Sequence, residues 1–201
     1  MAVVEANISL SLDGYVTGPG VEQTPGLGEG GEALHAWLED EDGRLVNDEF
    51  AAAGAVITSR TVYEDTGGWG DDGHLLPPGA RRDDGLYKIP VFVVTHRPHE
   101  PVLKDHSTFT FVTDGVAAAV ARASEAAGGK CVHVMGGASI IRQAIDAGLV
   151  DRLRLHLAPV LLGSGTRLFR NGVPARLQLI AHQHTPHAVH LTYQVQRQAA
   201  A

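Results

Sequence analysis

The sequence predicts an α/β fold on a mixed, mostly parallel sheet that closes with a C-terminal antiparallel hairpin. Three observations predict it. Short apolar runs alternate with helical patterns through the middle of the chain, which implies right-handed β–α–β crossovers. The stretch Cys131-Val132-His133-Val134-Met135-Gly136-Gly137 reads as a strand, a two-glycine turn and the start of a helix. Near the C-terminus, Leu177, Leu179 and Ala181, then Val189, Leu191, Tyr193 and Val195, alternate with polar residues about a turn at Thr185-Pro186. That is the pattern of a hairpin.

Each element follows from its own residues. Ala2, Val4, Ala6, Ile8 and Leu10 recur with a period of two and form a first strand. Ser11-Leu12-Asp13-Gly14 turns out of it. Asp13 either stabilises that turn through an Asx contact or stands at a pocket, since loops after core strands carry chemistry in α/β folds. Gly18 to Gly31 is rich in Gly and Pro and too long for a tight connection, so it is a flap over a ligand or slack. Leu34, Trp37 and Leu38 begin a helical pattern. Glu39-Asp40-Glu41-Asp42 is its solvated end, and the helix resumes from Arg44 to Ala53. Ala55-Val56-Ile57-Thr58 is short and continuous, as buried parallel strands are. Ser59 to Glu64 opens a helix, with Thr61 and Glu64 at capping-box spacing. Arg60 stands beside that N-terminus, where the helix dipole disfavours a cation. Either an anion lies between them or the arginine reaches solvent.

Gly67 to Gly85 is a loop containing Arg81-Arg82. Pro90 to Thr95 is the next strand and ends in Thr95-His96-Arg97-Pro98. Phe109, Phe111 and Val112 mark another. Asp114 caps a helix that runs to Ala127, with Val116 and Val120 on one face, and Gly128-Gly129 stops it. After the glycine turn, Ile141, Ala144 and Ile145 fall at helical spacing and Gly148 closes the helix. Arg152 to Pro159 alternates as a strand, and Leu161 to Thr166 is a loop with two glycines. The 201 residues contain no internal repeat and no linker, and read as one domain, residues 1–201.

Composition narrows the function. A net charge of -7 argues against a general nucleic-acid or anionic-membrane binder. Glu5 and Asn7 interrupt any signal-peptide core, and no apolar run approaches the ~20 residues of a membrane span, so a cytoplasmic protein is expected. The one cysteine, Cys131, lies in an apolar run and reads as a small buried hydrophobe. A single cysteine also excludes a zinc deaminase, which needs Pro-Cys-x-x-Cys. His182, His184, His187 and His190 lie opposite the apolar stripe of the hairpin, so they read as a solvated sheet face and no metal site is expected.

Arg60, Thr95 to Arg97 and Gly136-Gly137 each follow a strand directly. In such sheets ligands bind beyond the carboxyl ends of the strands. A two-glycine turn before a helix leaves backbone N–H groups free and no side chain in the way of a phosphate or a flat ring. Three phosphate-friendly loops on one edge point to a nucleotide cofactor.

Taken together, Ser9-Leu10-Ser11-Leu12-Asp13-Gly14, Thr58-Ser59-Arg60-Thr61-Val62-Tyr63-Glu64, Val94-Thr95-His96-Arg97-Pro98, Met135-Gly136-Gly137-Ala138 and Asp151 to Gly163 resemble a known family. It is the C-terminal reductase domain of the bifunctional riboflavin-biosynthesis deaminase-reductase. The resemblance covers nearly the whole chain. It implies a dihydrofolate-reductase-like three-layer αβα sandwich, NADPH as cofactor, a homodimer, and a cis Gly136–Gly137 peptide. By match, Ser59, Arg60 and Thr61 would hold cofactor phosphates, Thr95, His96 and Arg97 would surround the adenosine 2′-phosphate, and Gly136, Gly137, Ala138, Ser139 and Ile140 would back the nicotinamide and pyrophosphate. Val62 departs from the hydroxyl that dihydrofolate reductases place on the pyrophosphate. The acidic helix motif with which those enzymes bind pterin has no counterpart. The implied activity is hydride transfer from NADPH to a small polar heterocycle, as in 5-amino-6-(5-phosphoribosylamino)uracil reduction, with Asp13 orienting substrate or relaying a proton. The alternatives are a pterin reductase of the dihydrofolate reductase type and a non-catalytic NADPH-binding module.

Overall fold

A computed structural model describes residues 2–23, 26–39, 41, 43, 53–65, 89–104, 107–170, 172 and 174–196. The strands are β1 (Val4–Ser11), β2 (Tyr15–Thr17), β3 (Ala53–Ser59), β4 (Val91–Val94), β5 (Val102–Lys104), β6 (Ser107–Val112), β7 (Cys131–Val134), β8 (Arg152–Ala158), β9 (Thr166–Arg167), β10 (Arg176–Thr185) and β11 (Ala188–Gln196). The α-helices are α1 (Arg60–Asp65), α2 (Gly115–Ala126) and α3 (Ala138–Asp146), and Gly31–Leu38 is a 3-10 helix. Nine strands form one sheet in the order β10-β11-β8-β1-β7-β3-β4-β6-β5, and β2 pairs with β9 in a separate ribbon.

Strand β1 lies inside the sheet, parallel to β7 on one side and to β8 on the other. The β3–β7, β3–β4 and β4–β6 pairs are parallel too, while β11 runs antiparallel to β8 and β10 to β11. This is the mixed, mostly parallel sheet with a terminal hairpin that the patterning predicts. Ala6, Ile57, Val132 and Val134 point to one face and are fully buried there. Val116, Ala119 and Ala123 of α2 and Ile140, Ile141 and Ala144 of α3 meet them in one core. Burying a side chain such as Ile141 is worth about 2–3 kcal/mol. Gly54 allows a close approach between β3 and the end of α2: a Cβ there would meet the Ala127 carbonyl oxygen at 2.3 Å.

Several local expectations need correction. Leu34 and Trp37 are buried three residues apart, and the segment winds as a 3-10 helix, whose period is three. Ala53 belongs to β3, not to a helix. The remainder of the expected 44–53 helix, along with Asp40, Asp42, residues 67–85, Arg81 and Arg82, lies outside the described residues. Ser59, not Thr61, caps α1: its Oγ accepts the Val62 N–H at 3.2 Å, while Glu64 turns to Arg60. Asp114 occupies the N-cap position of α2 without a side-chain capping bond, because its carboxylate accepts from Arg122 at 2.9 Å. Gly148 closes α3 as expected. At φ +66 it lets its own N–H reach Ile145 O and the Leu149 N–H reach Ala144 O, each at 2.9 Å, a Schellman ending.

The hairpin differs most. Its apolar stripe was expected to face the core, yet Leu177, Leu179 and Ile180 of β10 are 42–48% exposed. The cause is position: β10 is the last strand of the sheet, and a bulge between Leu179 and Ala181 shifts its register. His182, His184 and His187 are solvated as expected, but His190 is buried, since β11 pairs it with His156 beneath the 3-10 helix. Strands β2, β5 and β9 were not foreseen, because two or three residues are too few to display a period. Among the described residues, no helix is long and apolar enough to cross a membrane.

Candidate functional site

The carboxyl ends of β3, β4 and β7 bring the predicted loops together. Ser59 stitches two of them. Its N–H donates to Gly136 O at 3.1 Å, and its Oγ accepts from Gly137 N at 3.3 Å as well as from Val62 N. Thr58 Oγ1 donates to Met135 O at 3.3 Å. The turn between β7 and α3 is thereby fixed against the start of α1. The Gly136–Gly137 peptide is cis, and Gly136 has φ +74, the left-handed region that glycine favours. Ala138 and Ile140 follow at once with side chains in the core, 4% and 5% exposed, so only their backbone could meet a ligand. Ser139 is exposed at the first turn of α3.

Helix α1 and the loop after β4 line a cleft of about 320 Å³ whose walls include Arg60, Tyr63, Glu64, Thr95, Arg97, His99 and Phe111; no residue of the Gly136–Gly137 turn lines it. Thr95 is buried, and its Oγ1 accepts the Arg97 N–H at 3.1 Å, which sets the direction of the Thr95-His96-Arg97 turn. Arg97 is exposed and lines the cleft. His96 is also exposed but does not line it. Arg60 lines the cleft with its guanidinium on Glu64, Nε donating at 2.6 Å. Its anionic partner is thus a carboxylate of its own helix. Thr61 is exposed on α1.

Three aromatic wall residues escaped the sequence reading. Phe111 stands 4.5 Å from the His99 ring and 5.2 Å from the Tyr63 ring, the latter edge-on at 88°. The signal was present: Phe111 sits on a strand beside the Thr95 loop, and Tyr63 lies one helical turn from Ser59. Two guanidinium groups, a hydroxyl and three rings suit a ligand with a phosphate and a flat heterocycle. The donor set therefore fits a phosphorylated nucleotide cofactor.

Asp13 serves the neighbouring loops. Its carboxylate accepts from Ser11 Oγ at 2.6 Å, from Leu162 N at 3.1 Å and from Gly163 N at 2.8 Å. The Ser11 hydroxyl chiefly, with the Gly163 and Leu162 amides, holds it below its usual value near 3.8. Such a group is ionised at neutral pH, so it accepts hydrogen bonds and is a poor proton source. Asp13→Asn should speed amide hydrogen exchange at Leu162 and Gly163. Because the folded-state value is depressed, the tie is complete above the ordinary aspartate range and is lost as pH falls through the folded-state value. Exchange that does not change in Asp13→Asn would remove this role. Cys131 is half-buried, and burial followed by the Glu5 charge pushes its thiol up to about 11, which makes it inert as a nucleophile.

A protein from Shewanella sp. PV-4, described as a candidate riboflavin biosynthesis protein, superposes with a TM-score of 0.68 at 20% identity, over 98% of this chain and 100% of that one. A pyrimidine reductase-like protein of Corynebacterium diphtheriae gives 0.62 at 17% identity, covering 98% and 93%. The Saccharomyces cerevisiae riboflavin biosynthesis reductase Rib7 gives 0.59 at 15% identity, covering 97% and 90%. At these identities the likeness is one of fold. The uncharacterized protein YyaP of Bacillus subtilis is 51% identical over 41 residues, a stretch of 20% of this chain and 22% of that protein. The family described as the RibD C-terminal domain matches residues 2–191, nearly the whole length, and the chain belongs to that family.

Proposed function

We propose that this protein is an NADPH-dependent reductase that delivers hydride to a C=N or C=O carbon of a small polar heterocycle, with a ribosylaminopyrimidine as the leading substrate class. The observation that carries this reading is the cleft lined by Arg60, Thr95, Arg97, Tyr63, His99 and Phe111, with the Gly136–Gly137 turn tied through Ser59 to the start of α1, the helix that supplies Arg60 and Tyr63. Arg97, with Arg60, would bind a 2′-phosphate. Ser59 has both lone pairs taken by Val62 and Gly137 N–H groups, so its hydroxyl proton is available to a pyrophosphate oxygen. Gly136 and Gly137 would let a nicotinamide lie near the backbone. NADPH supplies the hydride, and the protein needs little acid–base machinery of its own. Asp13 would orient the substrate through its fixed loop, and residues 18–31 would help to exclude water. Membership of the RibD C-terminal family, and the likeness to the yeast riboflavin biosynthesis reductase and the Corynebacterium pyrimidine reductase-like protein, support a reductase of the riboflavin pathway. A cytoplasmic setting belongs to this reading.

The test follows NADPH absorbance with the riboflavin-pathway aminopyrimidine and, separately, with dihydrofolate. Turnover of the aminopyrimidine is expected. Turnover of dihydrofolate alone would favour a pterin reductase, and tight NADPH binding without oxidation would favour a non-catalytic module. Absence of NADPH binding would overturn the proposal.

A homodimer belongs to the same reading. The exposed Leu177, Leu179 and Ile180 on the edge strand β10, with Val189 of β11 at 44% exposure, form an uncovered apolar edge of the kind that pairs with another chain. Light scattering at micromolar concentration should return twice the chain mass of 21.2 kDa. Leu179→Lys should shift the protein toward monomer. A single-chain mass for the wild type would end this expectation.

A further inference from the structure

Under the 3-10 helix, the sheet buries a row of polar side chains that a core normally excludes. Asn7, Ser9, His156 and His190 are all 7% exposed or less. Three hydrogen bonds run in a line. His156 Nε2 lies 2.9 Å from Asn7 Oδ1, His156 Nδ1 lies 2.6 Å from His190 Nδ1, and His190 Nε2 lies 3.2 Å from Thr185 Oγ1. Trp37 covers them. Its indole stacks on His156 with centroids 4.3 Å apart and 21° between the planes, meets His190 edge-on at 5.0 Å, and donates Nε1–H to Ser9 Oγ at 3.0 Å. The line thus joins β1, β8, β11 and β10, and Trp37 attaches the 3-10 helix to it.

The chemistry of the groups sets how many protons the line can hold. An amide oxygen only accepts, so His156 Nε2 carries a proton and, in the neutral ring, Nδ1 accepts. His190 Nδ1 then donates, its Nε2 accepts, and the Thr185 hydroxyl donates. One further proton fits: His190 donates from both nitrogens and Thr185 turns to accept. A second does not, because two N–H groups would face each other across 2.6 Å. Turning the Asn7 amide over reverses each donor and leaves the same limit. Two separate histidines would hold two protons where this pair holds one at most.

Among the described residues, burial and the Arg154 cation of β8 oppose even the first proton. His35 also faces the line from the 3-10 helix, but burial pushes it down to about 4 and keeps it neutral near pH 7. Glu5 on β1 is engaged by Arg154 Nε at 3.2 Å. On β10, His182 and His184 are exposed, and β11 carries no charged residue besides His190. Burial, reinforced by His190, Arg154 and His35, holds His156 well below the ordinary value of 6.5.

We propose that the Asn7–His156–His190–Thr185 line is an acid-sensitive latch that fastens Trp37 and its helix to the sheet, and that proton entry into the pair releases them. Since the folded state binds these protons less readily than the unfolded chain, the latch stabilises fully above about pH 6.5 and weakens as pH falls below it. This inference does not depend on the cofactor assignment.

The test uses the full chain labelled with 15N-histidine and carrying Trp69→Phe, so that Trp37 is the sole indole. Between about pH 8 and about pH 5, the His156 and His190 ring nitrogens should change together in one step centred below the free-histidine range. Trp37 emission should move to longer wavelength over the same interval, and the urea midpoint should fall. His190→Gln leaves His156 without its imidazole partner. It should reduce the pH dependence of the unfolding constant by up to about tenfold per pH unit, one proton's worth. Two rings titrating separately in the free-histidine range, Trp37 emission indifferent to pH, or wild-type steepness in His190→Gln would each overturn the latch. Should His190→Gln fail to fold, the ring titration and emission of the His190-containing protein decide the question.

Discussion

Arg97→Ala is expected to weaken NADPH binding by about ten- to a hundredfold and to leave NADH binding nearly unchanged, the loss of one charge-assisted contact worth about 1.5–3 kcal/mol. The exposed Arg97 guanidinium lines the cleft, and among the described residues no salt bridge holds it elsewhere, which suits it to a 2′-phosphate. Arg60→Ala should cost less. Its guanidinium is already shared with Glu64, and a phosphate must compete with that carboxylate. By the same argument Glu64→Gln should tighten NADPH binding. All these effects should shrink with added salt, because the contacts are solvent-exposed. Titration of both dinucleotides into wild type and variants, at two ionic strengths, measures them. Equal wild-type affinities for NADPH and NADH would remove the 2′-phosphate role of Arg97.

Gly54→Ala is expected to cost about 3 kcal/mol of stability, at the upper end of the usual penalty for overpacking a core. The added Cβ would lie 2.3 Å from the Ala127 carbonyl oxygen and 2.7 Å from its Cα. Both atoms are backbone, at the end of α2, and no side-chain rotation relieves the overlap. Either α2 lifts from the sheet, separating Ala119 and Ala123 from Ile57 and Val132, or β3 shifts against β7 where its register is already irregular between Ala53 and Ala55. For a chain of this size the cost corresponds to a fall in Tm of about 6–12 °C. Calorimetry or thermal circular dichroism reads it. A Tm within a degree of wild type would show that β3 and α2 separate without penalty.

The sheet was legible because its signal is local. Buried parallel strands read as continuous apolar runs, as in Ala55 to Thr58 and Pro90 to Thr95, and strand–glycine–helix boundaries mark themselves, as at Gly136-Gly137 and Gly148. The loops that carry the candidate site were equally visible, because each stands directly after such a strand. What could not be read was partnership. By sequence Arg60 faces an anion or reaches solvent, and α1 places Glu64 on it one turn away; by sequence and resemblance Asp13 holds a turn, orients substrate or relays a proton, and the fold brings the Leu162 and Gly163 amides to its carboxylate. Tyr63, His99 and Phe111 come from three segments and form one wall only in the folded chain.

Histidines show the same division. His182, His184, His187 and His190 lie close together in sequence, and a period of two counted through the turn would put His182, His184 and His190 on one face. The register does otherwise: His190 pairs with Gln183, while His182 and His184 pair with Leu191 and Val189 on the opposite face. The fold exposes three of the four and buries His190 against His156, 34 residues away, beneath Trp37. Alternation by itself determined that successive residues of a strand take opposite sides, since the pleat requires it. Only the tertiary structure decided the register between the strands and which side was covered, because the bulge between Leu179 and Ala181, the strand order and the 3-10 helix packed on β1 and β8 set them.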